Sequence, residues 1–436
     1  MKEPNSSFCG TADHDISRRA FLGTMATGLS GLIGSVGAVH AFDQQSITQV
    51  LKGKRKNVIL LWLAGGPSQF ETWDPKPGRP TGGPFAEIPT TVPGVRISEL
   101  LPKMAKRMHH VCLIRSLNTR LADHGGGARL MMRGRRNEPS LDYPDLGAIL
   151  AKELSRANTR VPDYVNFYSS TEGRNSARLS PAFLGAQYGP MQLTEGMVPP
   201  NLKRLKGISE FDHRDRAALQ GLLSHRFAAG RETQPLKSHA AAYARAQGLM
   251  SSEALFDLSR EPVQVAEKYG PTLFGQQAML ARRMVEAGVP FVRVSRAWWD
   301  SHGQNFETHL ELVSELDRVM SALLDDLKQR GLWESTLVVA MGEFGRTPKI
   351  NPSLGRDHFA RAWSMALFGC GIQGGACFGK TDADGQEVSE DEVGAGEIFA
   401  TMLAAVGINP KKEYHVGPRP VPLVNPGIEP INPVLV

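Results

Sequence analysis

The chain has 436 residues, 41% of them hydrophobic and 22% charged, which is typical of a globular protein with an ample core. Its net charge is +6, but the basic residues are scattered without interleaved aromatic residues, which argues against a nucleic-acid surface. Its four cysteines form no close pairs, so a disulfide scaffold is excluded. This length allows one large domain with an insertion, or two domains.

The N-terminus carries the features of an export segment. The stretch SRRAFL at 17–22 resembles the twin-arginine export motif, and the charge-free residues 20–41 end in a small-residue cleavage pattern. This segment is too rich in Gly, Ser and Thr for a permanent membrane span. We expect residues 1–41 to be a signal peptide, which places the protein in the periplasm or at the cell surface. The alternative is a cytoplasmic protein with a disordered start.

A basic linker is predicted at 42–56, followed by the folded part of the chain. The apolar runs at 57–64 and 110–117 predict buried strands. The glycines within 124–134 suit a tight turn between a strand and a helix, and 143–154 reads as a helix.

The middle of the chain is less regular. Gly, Pro and Ser break the pattern between about 155 and 235, which predicts an insertion or cap. Helical patterns follow from about 236, and the run at 290–297 alternates as a strand does.

The last third of the chain alternates between helix and strand patterns. A long amphipathic helix ends at Gly331, and the runs at 336–341 and 363–369 predict two more strands. We therefore predict a main domain at 57–410, and a proline-rich tail at 411–436 that is extended on the surface. Strand, helix and strand in succession predict an α/β fold with a mainly parallel sheet covered by helices.

Acidic and histidine side chains cluster next to the predicted strands. Ligands bind beyond the carboxyl ends of parallel strands, and these residue types suit a divalent cation. The candidate residues after strands are Glu71, His124, Asp300, His302 and Glu343, and those before the last strand are Asp357 and His358. Taken singly, each has a simpler explanation, such as a helix cap, an ion pair or a surface turn. Together they predict a metal site.

Four segments resemble one large family of exported bacterial proteins, in the sulfatase-like branch of the alkaline phosphatase superfamily. They are GGPSQFETWDPKP, WDSHGQNF, TLVVAMGEFGRTPKIN and GRDHF. The resemblance covers roughly residues 55–410. It implies a three-layer α/β/α sandwich with metal ions at the carboxyl ends of the strands.

The resemblance also implies residue roles, with some departures. Asp300 and His302 match the family's Asp/His pair, and His358 matches its last histidine. Glu343 matches an acid that follows a strand, although Phe344 stands where histidine is usual. Gly65 and Gly66 occupy the place of the usual paired acids, for which Glu71 and Asp74 are the substitute candidates.

The departure at the nucleophile position affects the expected activity. His124 stands where sulfatases carry Cys or Ser, which argues against a formylglycine sulfatase. We expect a hydrolase of phosphate or sulfate esters with one or two divalent ions, such as zinc, calcium or manganese. His124 would be a ligand, a general acid or base, or the nucleophile.

Arg346 or Arg356 would hold the substrate anion, unless each pairs with a local acid. The expected substrates are small anionic esters or sulfated carbohydrates, with no nucleic-acid partner and no stable membrane span after cleavage. The alternative is a non-catalytic exported relative that binds metal or carbohydrate.

Overall fold

The computed structural model describes residues 56–155, 161–168, 179–194, 196–199, 202–204, 206–231, 233–250 and 252–436. The predicted signal peptide and nearly all of the linker at 42–56 lie outside the described residues. Among the described residues, none of the helices combines the length and the apolar character needed to cross a bilayer.

The strands are, in chain order, β1 (Asn57–Leu63), β2 (Glu87–Pro89), β3 (Arg96–Ser98), β4 (Val111–Leu117), β5 (Tyr164–Tyr168), β6 (Met191–Thr194), β7 (Phe291–Arg296), β8 (Thr336–Met341), β9 (Gly345–Arg346), β10 (His358–Phe359), β11 (Trp363–Gly369), β12 (Cys377–Phe378), β13 (Lys380–Thr381), β14 (Val388–Glu390), β15 (Glu413–Val416) and β16 (Arg419–Pro422). The helices are α1 (Pro102–Ala105), α2 (His124–Arg133), α3 (Leu146–Leu154), α4 (Glu210–Ala228), α5 (Gln234–Met250), α6 (Val263–Tyr269), α7 (Leu273–Glu286), α8 (Asn305–Gln329) and α9 (Ala395–Ala405).

The core is one eight-stranded sheet with the order β12-β4-β11-β8-β1-β7-β5-β6. Neighbouring strands are parallel, except that β11 runs antiparallel to both β4 and β8. The predicted, mainly parallel sheet is therefore confirmed. The predicted strands at 336–341 and 363–369 have the same bounds as β8 and β11.

Both faces of the sheet are covered by helices, as the apolar residues of β1 illustrate. All seven residues of β1 are buried, which is typical of a central strand covered on both sides. Ile59 and Leu61 pack in one hydrophobic cluster with residues of α7 and α8. Leu60 and Trp62 pack in the other, with residues of α2, α3 and α9. This arrangement is the predicted α/β/α sandwich.

Two predictions about segments are wrong in part. The segment at 155–235 is not simply an insertion, because it supplies β5 and β6, which pair within the central sheet. The tail at 411–436 is not confined to the surface. It forms the hairpin of β15 and β16, and Leu423 and Val434 are buried in a core cluster. Apolar residues between its prolines make this burial favourable.

Candidate metal centre

Five of the predicted site residues meet at one edge of the sheet. Asp300 and His302 follow β7, Glu343 follows β8, and His124 is the first residue of α2, which comes after β4. His358 lies in β10, ahead of β11. Because β11 is antiparallel to its neighbours, its start lies at the edge where β8 and β4 end. The reversed strand therefore delivers His358 to the site.

Three atoms from three different residues converge at this edge. The Nε2 atoms of His302 and His358 are 3.0 Å apart. Oδ1 of Asp300 lies 3.1 Å from Nε2 of His358 and 3.2 Å from Nε2 of His302. Asp300, His302 and His358, called the ligand triangle below, thus point one atom each at a common centre.

The hydrogen-bond partners of the two Nδ1 atoms fix the tautomers of His302 and His358. Nδ1 of His358 lies 2.9 Å from the carbonyl oxygen of Ala122, which can only accept a hydrogen bond. Nδ1 of His302 lies 2.7 Å from Oδ1 of Asp357, which accepts in the same way when it is ionised. With a proton on each Nδ1, both neutral rings direct an Nε2 lone pair at the centre. Histidines that bind metals are oriented by such partners.

The spacing of the triangle suits a small cation. A tetrahedral zinc ion with bonds of about 2.0–2.1 Å has ligand atoms roughly 3.3 Å apart. Without a proton or a cation between them, two facing lone pairs beside a carboxylate would repel one another. His124, Asp300 and His358 also form a group with ligand atoms within 4.8 Å of one another. The structure therefore contains a His/Asp/His arrangement able to hold a metal ion.

His124 lies between two carboxylates. Its Nδ1 is 2.7 Å from Oε1 of Glu343, and its Nε2 is 3.2 Å from Oδ2 of Asp300. Burial lowers the pKa of His124, but the hydrogen bonds to Asp300 and Glu343 outweigh burial and raise the pKa to about 9. Burial likewise opposes ionisation of Asp300. Its hydrogen bond with His124 and the charge of Arg346 nevertheless hold the pKa of that carboxyl well below its usual range.

Glu343 joins the site through His124. Its Oε1 also accepts a hydrogen bond of 2.9 Å from the backbone N–H of Gly65, while its buried Oε2 bonds to no described residue. Gly65 has φ 114°, and a Cβ there would lie 2.4 Å from the backbone nitrogen of Asp300. The chain segments that follow β1 and β7 approach each other closely here. This close approach explains why glycine stands where the resembled family has acids.

Arg346 is fully buried and acts within the protein. Its guanidinium donates to the carbonyl oxygens of Gly65, Gly66 and Arg356 and to Oδ1 of Asp300. These bonds tie the loop after β1 to the ligand triangle and use the donors that a substrate anion would need. The position of Arg346 therefore favours the structural alternative over the predicted anion contact.

Glu71 does not belong to the metal centre, contrary to the prediction. Its side chain is fully buried and pairs with Arg356 at 2.9 Å, and Arg356 is itself fully buried. Arg356 also donates to the carbonyl oxygens of Thr81 and Pro348. Neither residue faces solvent, so Arg356 does not serve as the predicted anion clamp.

A comparison with models of known protein families shows the family to which the chain belongs. Residues 55–435 match the family model described as "Protein of unknown function (DUF1501)". The chain belongs to the DUF1501 family. No curated protein matches this DUF1501 chain.

Several solved structures show a distant likeness to this DUF1501 protein. The PsFucS1 sulfatase from Pseudoalteromonas sp. is 13% identical with a TM-score of 0.40, over 84% of this chain and 72% of that one. The phosphonate monoester hydrolase SpPMH from Silicibacter pomeroyi is 12% identical with a TM-score of 0.35, over 77% and 71%. A TAB5 alkaline phosphatase mutant is 12% identical with a TM-score of 0.35, over 81% and 99%.

The sequence analysis missed His309, which supports the loop after β1. Its Nε2 accepts a hydrogen bond of 2.9 Å from the backbone N–H of Ser68, and its Nδ1 donates to the carbonyl oxygen of Asn305 at 2.9 Å. Its position on the buried, apolar face of α8 beside Leu312 was the available indication. Because both nitrogens are used in this way, the ring must be neutral.

His309 should make the stability of the DUF1501 protein depend on pH. Burial lowers the pKa of His309 to about 4, from 6.5. The unfolded chain therefore binds more protons, so stability is full above pH 6.5 and falls as the pH drops toward 4. We expect a loss of about 2 kcal/mol between pH 7.5 and 5 from this residue. Urea unfolding of the wild type and His309→Gln at both pH values measures this loss of unfolding free energy. Equal pH dependence of stability in the two proteins would contradict the prediction.

Proposed function

We propose that this protein is a metal-dependent hydrolase of phosphate or sulfate esters. The observation that carries the proposal is the ligand triangle, in which two imidazole Nε2 atoms and one carboxylate oxygen lie 3.0–3.2 Å apart. Three protein ligands with a position left open are typical of catalytic metal sites. Asp300, His302 and His358 would hold the ion, with Asp357 orienting His302.

A divalent ion bound there would polarise the ester and lower the pKa of a bound water. The chain itself supplies proton transfer through His124, which Glu343 and Asp300 hold in place. His124 is the first residue of α2, and a helix N-terminus favours a substrate anion. A hydrogen bond from Arg346 keeps Asp300 ionised and oriented.

The attacking group is either water or the imidazole of His124. In the described part of the chain, no Ser, Thr or Cys side chain bonds to the side chains of His124 or the ligand triangle. We favour water, because both nitrogens of His124 are engaged by carboxylates. His124 would then act as the general acid or base.

Metal analysis tests the proposal. The purified wild type, after incubation with zinc, manganese or calcium, should hold about one ion per chain. The Asp300→Ala, His358→Ala double variant should hold none, because two of the three ligands are gone. A matched control is Glu413→Ala, His415→Ala, which removes an exposed acid and an exposed histidine of β15. A folded wild type without metal under all these conditions would overturn the proposal.

A second candidate is a non-catalytic relative that binds metal or carbohydrate. Among the described residues, no hydroxyl or thiol is hydrogen-bonded to the side chains of His124 or the triangle, which favours this candidate. A panel of aryl phosphates, phosphonates and sulfates separates the two candidates: bound metal with no turnover of any ester would select the non-catalytic one.

We also propose that residues 1–41 direct export through the twin-arginine pathway, ahead of the folded hydrolase domain. The motif at 17–22 supports this proposal. Cell fractionation tests it, because the Arg18→Lys, Arg19→Lys variant should remain in the cytoplasm. An unchanged distribution of the variant would refute the proposal.

A further inference from the structure

A cleft of about 660 Å³ adjoins the metal centre. Three segments form its walls: the chain after β4, the chain from β10 to β11, and the chain around β14. Clefts of ~300–1,000 Å³ hold organic ligands, so this one is larger than a single inorganic anion requires. Its lining includes Asn118, Arg120, Phe359, Arg361, Glu387 and Glu392.

The cleft shares a wall with the ligand triangle. His358 and Ala122 both line it, and the hydrogen bond between Nδ1 of His358 and the carbonyl oxygen of Ala122 joins them. Backbone hydrogen bonds also fix the walls to one another, from Thr119 to Ala360 at 2.9 Å and from Asn118 to Val393 at 2.8 Å. An ester held at the triangle would therefore project its organic part into a preformed space.

The charges that line the cleft are balanced. Arg120 pairs with Glu392 at 3.1 Å, and Asn118 donates to the same carboxylate at 3.0 Å. In the described part of the chain, no hydrogen bond or ion pair engages the exposed side chains of Arg361 and Glu387. The cleft thus offers one cationic donor and one anionic acceptor, both without a partner among the described residues, and its lining also includes the aromatic residue Phe359.

This chemistry discriminates between classes of organic group. A polyanion would gain no net attraction from two carboxylates and two guanidiniums, and a purely apolar group would desolvate Arg361 and Glu387 without replacing their hydrogen bonds. Neighbouring hydroxyls can donate to a carboxylate and accept from a guanidinium, while the C–H face of a ring covers an aromatic side chain. A neutral polyhydroxylated ring can donate hydrogen bonds to Glu387, accept them from Arg361 and pack against Phe359.

We propose that this cleft binds the alcohol part of the ester and that this part is a sugar, held by Arg361 and Glu387. The assignment rests on the proposed function for the identity of the reacting group. Its test measures binding without turnover, so the two proposals can fail separately.

The probes are the methyl glycosides of glucose, galactose, mannose and fucose, which carry no phosphate or sulfate ester. Saturation-transfer NMR with the full chain should show saturable binding of at least one of them, and cyclohexanol should bind at least ~10-fold more weakly. Arg361→Gln and Glu387→Gln should each weaken glycoside binding about 2- to 10-fold, which corresponds to one lost hydrogen bond. Arg419→Gln, on the exposed strand β16, is the matched control and should bind as the wild type does.

Each result decides the inference. Binding of no glycoside, or equal binding by the wild type and both cleft variants, would overturn it, even if the protein holds metal. Glycoside binding that both variants weaken would support the cleft assignment, even if metal analysis refutes the hydrolase.

Discussion

Exchanging His124 for glutamine should lower kcat for ester hydrolysis by roughly 10²–10⁴-fold, the usual contribution of a general acid or base. Metal stoichiometry should not change, because Asp300, His302 and His358 form the triangle without it. The amide of glutamine can hydrogen-bond to Glu343 and Asp300 but cannot transfer a proton near neutral pH. Activity should therefore fall while the ion stays bound.

Steady-state kinetics on an aryl phosphate or sulfate, with metal analysis of the same sample, measures both effects. His415→Gln, an exposed histidine of β15, controls for the loss of any histidine. Loss of the metal together with activity would show instead that His124 is a ligand, as its grouping with Asp300 and His358 allows. Unchanged kcat in an active enzyme would remove His124 from the chemistry.

Replacing Arg356 with methionine should cost about 3–5 kcal/mol of unfolding free energy, because it strands a buried carboxylate. Glu71 and Arg356 are both fully buried, and Arg356 donates to Glu71 at 2.9 Å. The Glu71→Leu, Arg356→Met double variant should be more stable than Arg356→Met alone, since no charge is then left unpaired. Denaturant unfolding of the wild type, both single variants and the double variant measures the coupling.

The exposed ion pair of Arg419 and Glu138 is the control for this double-mutant cycle of the buried pair. Its side chains are 53% and 45% exposed and lie 3.5 Å apart. Breaking an exposed pair of this kind should change stability by only ~0–1 kcal/mol. If Arg356→Met costs no more than Arg419→Met, the buried pair does not hold the loop after β1 in place.

The strands and the edge where the site lies were predictable from local patterns. Continuous apolar runs such as 336–341 predict buried strands, and the polar residues that follow such strands in a parallel sheet share one edge. For this reason the sequence alone grouped His124, Asp300, His302, Glu343 and His358, which the structure brings together.

The direction and partner of each side chain were not predictable. Glu71 also follows a strand, but it pairs with Arg356, which lies 285 residues away in sequence. Arg346 looked available for a substrate until its partners were known, and three of its four partners are backbone carbonyls that no sequence pattern marks. Whether a charged residue faces solvent or a buried partner depends on long-range packing, which local periodicity does not encode.

The position of β11 in the sheet has a consequence for the order of assembly. In the sheet order β12-β4-β11-β8, the early strand β4 meets β8 only through β11, which is made more than 240 residues later. Contacts between such distant segments form late in folding, because closing long loops costs chain entropy. Until β11 is inserted, β4 lacks the strand that joins it to β8, so His124 after β4 is not held beside Glu343 and Asp300. A chain cut short before β11 should therefore lack the approach of His124 to these two carboxylates.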